Sequence, residues 1–442
     1  MNGKRRLKMK QLTRLFIPIC LETLFYMLSG MVDTLMLSAV GDYAVGAVGT
    51  ANSYIGIFII MFSIISSGMV SVMTQNIGAG RPGVAYQARQ LGLLFNAVAG
   101  VLMAVFLFSG AGAILRMVGI ADALYEPALI YLKIVGGGCI LNAVIPIFSS
   151  YLRAFGYTKQ PLYATIVGNI ANFVMNAVFL FVLHKGVAGV AAATVISKIL
   201  NLCIVLYFSH KLISAKNSTE RIANKTGLGQ IVKVGLPSAC ETALYNVAMM
   251  LVIRFLNQMD AEGLNVTARS YTATISNFSY CVGAALAQAN AIMTGWHIGA
   301  GELEECDRGT KRAAFVGVCV AVCMETAIVL GSGFIMPLFT DNPEMTALVR
   351  KLLAIDIVLE IGRVTNLVFG QALKTSGDAV FPAVIAAVFM FVFAVGGTWL
   401  FGISMGLMAV GAYIGLASDE CVRAVGMVWR WKTGKWRTKK LV

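Results

Sequence analysis

Charged residues are scarce in this sequence. They make up 13% of its 442 residues, whereas soluble globular proteins carry roughly 25%. Hydrophobic residues reach 58%, and the mean hydropathy is +0.78. A soluble globular class is therefore excluded, and the composition predicts a polytopic membrane protein.

Several motifs of soluble enzymes are also missing. The three histidines lie near span ends and form no metal-ligand cluster, and the nine cysteines include no CxxC pair. A nucleotide loop of the GxxxxGK(S/T) type is absent, so direct use of ATP is not expected. We therefore expect no enzyme activity and no bound cofactor.

Apolar runs long enough to cross a membrane are what the sequence has in quantity. A span needs about 20 apolar residues. Long runs that contain many of the 45 glycines favour helices over a barrel, which needs short alternating strands. The twelve predicted spans are residues 14–38, 46–74, 88–110, 126–150, 159–183, 187–209, 229–257, 264–293, 309–333, 345–373, 379–402 and 406–430.

The net charge of +14 is distributed along the flanks of these spans. This positive-inside pattern predicts a plasma-membrane protein with both termini cytoplasmic. Bases spread over membrane flanks make no continuous footprint, so nucleic acid is not an expected partner. The charges concerned include Lys4, Arg5, Arg6, Lys8, Lys211, Lys216, Arg221, Arg430, Lys432 and Lys435 on one side, and Asp42, Asp260, Glu262, Asp341 and Glu344 on the other.

Two halves of the chain repeat one another. Residues 18–26 recur as residues 237–245, a shift of 219 (237 − 18). The sequence Ile-Gly-Ala-Gly at 77–80 recurs at 298–301, a shift of 221 (298 − 77). Near-constant shifts predict two homologous halves of six spans each. Because six is even, the halves are parallel repeats, related by an axis along the membrane normal.

The repeat also divides the chain. We expect an N-terminal lobe at 1–209, a cytoplasmic linker at 210–233 and a C-terminal lobe at 234–442. The glycine-rich residues 78–83 follow no strand, so they predict a tight turn rather than a phosphate-binding loop.

The N-terminal half carries polar side chains inside predicted spans. Asp33 lies eleven residues after Glu22, so both carboxylates share one face of span one. Asn172 and Asn176 lie on one stripe of span five, and small residues surround Thr194 in span six. These oxygen atoms suit Na⁺, and the carboxylate can instead take up a proton. The alternative interpretation is that the two asparagines only hydrogen-bond between helices.

The C-terminal half is built differently. Glu241 and Tyr245 repeat Glu22 and Tyr26, but no carboxylate of span seven repeats the aspartate of span one. Ion pairing inside the protein and a role in substrate or proton handling are equal alternatives for its other polar residues. Those residues are Arg269 of span eight and Asp356, Glu360 and Arg363 of span ten. Asn277 belongs to a polar run of span eight, part of which we expect to line a cavity.

Four further motifs are Val-Asp-Thr-Leu-Met-Leu at 32–37, Gly-Ala-Gly-Arg at 78–81, Arg-Ala-Phe-Gly at 153–156 and Arg-Trp-Lys-Thr-Gly-Lys-Trp at 430–436. With these motifs, the sequence resembles the multidrug and toxic compound extrusion (MATE) family of antiporters over nearly the whole chain. The resemblance implies an all-α membrane protein, with twelve helices in two six-helix lobes that form a V-shaped central cleft. It also implies export of cationic or amphipathic compounds in exchange for Na⁺ or H⁺.

The resemblance further implies site residues. A span-seven glutamate that some members use matches Glu241, and the place of a span-ten aspartate is held by Arg363. The family's N-terminal ion site matches Asp33, Asn172, Asn176 and Thr194.

Two other interpretations compete with an antiporter. A lipid-linked oligosaccharide flippase of the wider superfamily would need a cationic cleft. An intramembrane enzyme would need a nucleophile or a metal cluster, and neither accompanies the carboxylates. We expect a monomer whose partners are small cationic or amphipathic molecules and membrane lipid.

Overall fold

The structure is a computed structural model that describes residues 2–118, 120–213, 220–260 and 263–442, except for the side chains of residues 2–9, 42 and 118. The described residues contain helices and turns but no strand. Lipid offers no partner to exposed backbone groups, so a spanning chain must satisfy them within its own helices. The helices are α1 (Asn2–Ser38), α2 (Asp42–Gly78), α3 (Pro82–Val118), α4 (Asp122–Gly137), α5 (Cys139–Ala154), α6 (Lys159–Ala177), α7 (Gly186–Leu212), α8 (Asn224–Met259), α9 (Leu264–Gly299), α10 (Leu303–Ile335), α11 (Pro343–Ser376), α12 (Val380–Phe389) and α13 (Met408–Lys432).

Each of the twelve predicted spans lies on helical structure, so the all-α polytopic fold is confirmed. The fourth span is bent by 41° between α4 and α5, where three consecutive glycines weaken the helix. π-helical turns extend the fifth span at Val178–Val182 and form much of the eleventh at Met390–Val395 and Thr398–Ser404. Among the described residues, eight helices are long and apolar enough to cross a membrane, or nine if the bent pair counts as one span. The more polar helices are α9, α11 and α13.

The chain divides into two compact units, one of Thr13–Gly235 and one of Leu236–Val442 with Met1–Leu12. We call them the N-terminal lobe and the C-terminal lobe. Of the predicted linker, residues 214–219 lie outside the described residues, and residues 224–233 belong to α8. Of the charges used for topology, Lys216, Glu262 and the side chains of Asp42 and residues 4–8 also lie outside them.

The glycine turns have the same backbone conformation in both halves. Gly80 and Gly301 each have φ 75°, and Gly156 and Gly377 have φ 85° and 97°. The amide after each glycine donates to a carbonyl five residues earlier at 2.8–3.0 Å, which closes the helix. Residues with a Cβ are strained at such angles, so the tight turn predicted at 78–83 is confirmed.

The C-terminal lobe has two apolar clusters with a polar layer between them. On α11, the first cluster ends at Leu359 and the second begins at Val364. On α13, the buried members of the first cluster end at Ala417, and those of the second begin at Met427. The residues between these limits include four buried charges of the lobe, Glu360, Asp419, Glu420 and Arg423.

Candidate functional site

Three of the N-terminal candidates meet where α1 contacts α6. The amide nitrogen of Asn176 donates to Asp33 Oδ1 at 2.8 Å and to Asn172 Oδ1 at 3.1 Å. Asn176 is fully buried, and its own Oδ1 accepts no hydrogen bond from the part of the chain that the structure describes. The two asparagines are one helical turn apart, so a single amide can join the stripe of α6 to the carboxylate of α1.

Thr194 lies near this group but is not bonded to it. Its hydroxyl donates to Val190 O within α7 at 2.9 Å. Tyr131 of α4 lies beside Thr194 and Asn52, and its phenol is also close to Asp33. The structure therefore adds a tyrosine and a third asparagine that the sequence analysis did not predict.

A lysine belongs to the same region. Lys198 follows Thr194 by one turn of α7, and its Nζ donates to Asn142 Oδ1 at 2.9 Å. Its positive charge acts on Asp33. Lys198 was not among the residues predicted from the sequence, although a lysine inside a predicted span needs a partner or a cavity and is for that reason a functional candidate.

The glutamates of the repeat form equivalent ion pairs. Glu22 accepts a hydrogen bond from Arg153 at 2.5 Å, and Glu241 lies 2.7 Å from Lys374 Nζ. Arg153 and Lys374 are themselves separated by the repeat shift of 221 residues (374 − 153). Each half thus ties its first long helix to the helix that ends at its second glycine turn.

A cavity of about 470 Å³ lies inside the C-terminal lobe. Four carboxylates and four bases are among its lining side chains, so the charges of the lining balance. Glu360 is fully buried behind the lining, and Tyr26 is 74% exposed on α1 of the other lobe. The predicted candidates that do line the cavity are Glu241, Tyr245, Arg269, Asn277, Asp356 and Arg363.

Buried charges on α11 and α13 neutralise one another. Arg363 pairs with Glu360, as their spacing allowed, and its Nε lies 3.7 Å from Glu420. Arg423 pairs with Glu420 at 2.8 Å and with Asp419 at 2.7 Å. This chain of alternating charges satisfies groups that would otherwise be costly inside a membrane.

Close packing of α11 on α13 depends on Gly362. A Cβ there would lie 2.7 Å from the backbone nitrogen of Cys421, so a larger residue would force the helices apart. The α13 charges and Glu325 of α10 were not predicted from the sequence, although all of them lie in predicted spans. The feature that singled out Asp33, an ionisable residue inside a predicted span, would have identified these residues as well.

Comparison with known proteins identifies the family. A sequence model of the MatE family matches residues 18–178 and 237–400, one segment in each half of the repeat. The chain belongs to the MATE family. It is accordingly a multi-pass membrane transporter and not an enzyme.

Three similar proteins show how far the likeness extends. The uncharacterized transporter YisQ of Bacillus subtilis (strain 168) is 32% identical, with 96% of this MATE chain and 94% of YisQ covered. The probable multidrug resistance protein NorM of Thermotoga maritima is 20% identical, with 98% and 94% covered. A crystal structure of MATE in the straight conformation shares the fold, with a TM-score of 0.86, 21% identity and 97% of both chains covered.

Proposed function

We propose that this MATE chain is a secondary active exporter of cationic or amphipathic small molecules, driven by Na⁺ or H⁺ entry at Asp33. The observation that carries the proposal is the hydrogen bond between Asp33 of α1 and Asn176 of α6. A carboxylate inside a span is costly and marks a functional site by default. The name of the Thermotoga maritima relative, probable multidrug resistance protein, agrees with drug export. We place the exporter in the plasma membrane, as a monomer with both termini cytoplasmic.

The side chains around Asp33 suit either ion. The buried Oδ1 of Asn176 accepts no hydrogen bond from any residue within the described ranges, and Asn172 supplies a second amide oxygen. Rotation of the Asn176 amide would exchange its nitrogen for its oxygen on the side that faces Asp33 and Asn172. One carboxylate and two amide oxygens suit Na⁺, whereas a proton needs only Asp33.

Coupling requires Asp33 to serve the ion and the cationic substrate in turn. An ion that enters from outside neutralises the carboxylate, and the substrate then loses the charge that attracts it. Exchange follows only if the inward-facing and outward-facing states differ in these affinities. Exchange of one monovalent cationic substrate for one Na⁺ or H⁺ moves no net charge, so the concentration gradient of the ion drives export, and each tenfold gradient supplies about 1.4 kcal/mol.

Ethidium efflux from proteoliposomes tests the proposal, with an imposed Na⁺ gradient and an imposed pH gradient in separate runs. We expect one of the gradients to drive efflux. Asp33→Asn should abolish it, because the amide keeps the size of the side chain but neither takes up a proton nor attracts a cation. The matched control is Asp122→Asn, which changes an exposed acid at the start of α4 and should leave transport unchanged.

Two results would contradict the proposal. Efflux that survives in Asp33→Asn at the wild-type rate would remove Asp33 from the coupling mechanism. No efflux under either gradient, from protein shown to be folded, would argue against export of organic cations.

A lipid-linked oligosaccharide flippase is the second candidate, and Arg269 of the C-terminal cavity favours it. Four carboxylates balance the four bases that line this cavity, but Nε of Arg269 has no hydrogen-bond partner among the described residues. A guanidinium group binds phosphate well. The same proteoliposomes, supplied with a fluorescent isoprenyl-pyrophosphate oligosaccharide, separate the two candidates: translocation of this lipid without ethidium efflux would favour the flippase.

A further inference from the structure

Three buried carboxylates meet between α10 and α11, beside the cavity of the C-terminal lobe. One oxygen atom from each of Glu325, Asp356 and Glu360 lies within 4.8 Å of the other two. These residues are 0%, 3% and 0% exposed, respectively. Carboxylates this close repel one another in a dry environment, so they need positive charge or protons between them.

Most carboxylate oxygens of this cluster have no hydrogen-bond partner among the described residues. Arg363 pairs with one oxygen of Glu360. Both oxygens of Glu325, and one oxygen each of Asp356 and Glu360, accept no hydrogen bond from any described residue. Buried polar atoms are nearly always hydrogen-bonded, so a fully buried carboxylate with two unpartnered oxygens requires an explanation. A ligand that contacts all three carboxylates would satisfy these oxygens.

Two hydroxyls of α9 complete the surroundings. Ser276 lies beside Asp356, and Ser279 lies beside Glu325, although neither hydroxyl reaches hydrogen-bond geometry with a described residue. Asp356 and Ser276 also line the cavity, which gives an ion a route to the cluster. The available donor atoms are therefore all oxygen, and they come from three helices.

We propose that Glu325, Asp356 and Glu360 bind a hard metal cation, with the two α9 hydroxyls as additional ligands. Sodium and calcium ions take oxygen ligands, whereas soft metals select sulfur. With Arg363 included, the three carboxylates carry a net charge of −2. A calcium ion, or a sodium ion with one proton, neutralises that charge. The site shares no residue with the Asp33 group, so it stands independently of the proposed function.

Binding of radioactive Na⁺ and, separately, radioactive Ca²⁺ to the purified full-length protein tests this site. The protein should carry Asp33→Asn, so that the N-terminal lobe contributes no site of its own. We expect saturable binding of one of the two cations and its loss when Glu325→Gln is added, because a charged ligand disappears. The matched control is Glu344→Gln, an exposed acid in the first turn of α11, which should bind as before.

The proposal is overturned if neither cation binds, or if Glu325→Gln leaves the affinity unchanged; the carboxylates would then hold shared protons. If gel filtration shows that Glu325→Gln does not fold, Ser279→Ala takes its place. Loss of this hydroxyl should weaken binding by roughly tenfold, and unchanged affinity would again overturn the proposal. The readout is ion binding, so its failure is distinguishable from failure of ethidium export.

Discussion

The two lobes keep the same helical frame but fill it with different charges. In the N-terminal lobe, Asp33 and Lys198 act on one another among uncharged polar groups. The C-terminal lobe has a connected layer of buried charges on α10, α11 and α13. The ion pair of Glu22 has its counterpart at Glu241. The repeat thus preserves contacts that hold helices together, whereas the polar groups of the interior differ.

The largest expected effect comes from breaking the charged layer of the C-terminal lobe. Arg423→Gln leaves Asp419 and Glu420 buried without the cation that they share. We expect the free energy of unfolding to fall by about 3–5 kcal/mol, measured by thermal unfolding in detergent. The matched control is Arg437→Gln, which opens a largely exposed pair and should cost at most about 1 kcal/mol. Equal losses in both variants would show that burial of the layer does not determine its contribution.

The equivalent ion pairs offer a sharper comparison with an intermediate effect. Glu22→Gln and Glu241→Gln should each lower the free energy of unfolding by about 1–3 kcal/mol, because each removes the carboxylate of a partly buried ion pair. Adding Arg153→Gln to Glu22→Gln should recover part of the loss, since the positive charge that Glu22 balances is then removed as well. If thermal unfolding shows that only one of the two variants is destabilised, the repeat has kept the ion pair in both lobes but not its contribution to stability.

The smallest expected effect concerns the lysine of the N-terminal lobe. Lys198→Met removes a positive charge that acts on Asp33, so a cation at Asp33 should bind about fivefold more tightly, equivalent to about 1 kcal/mol. The measurement is the ion concentration that gives half-maximal ethidium efflux. Lys211→Met, at the exposed end of the same helix, is the control. An unchanged half-maximal concentration in Lys198→Met would mean that the lysine does not compete at this site.

The sequence predicts the helices and the Asp33 group better than the charged layer. The apolar runs set the helices, and the spacing of Asn172 and Asn176 places them on one stripe whatever the rest of the fold does. The three carboxylates Glu325, Asp356 and Glu360 meet only if α10 and α11 pack at the right height, and the contact of Arg363 with Glu420 needs the close approach of α11 to α13 at Gly362. Both depend on packing between helices, which periodicity along one helix does not encode.

The polarity of α11 and α13 also affects how the protein enters the membrane during synthesis. Each of these helices carries three ionisable groups within its buried stretch, such as Asp356 and Arg423. At the centre of an isolated span, each such group costs about 2.5–3.5 kcal/mol. Within each helix, Arg363 pairs with Glu360, and Arg423 pairs with Asp419 and Glu420, so part of that cost falls before neighbouring helices arrive. We expect insertion of the second half to depend more than that of the first on pairing between charged side chains.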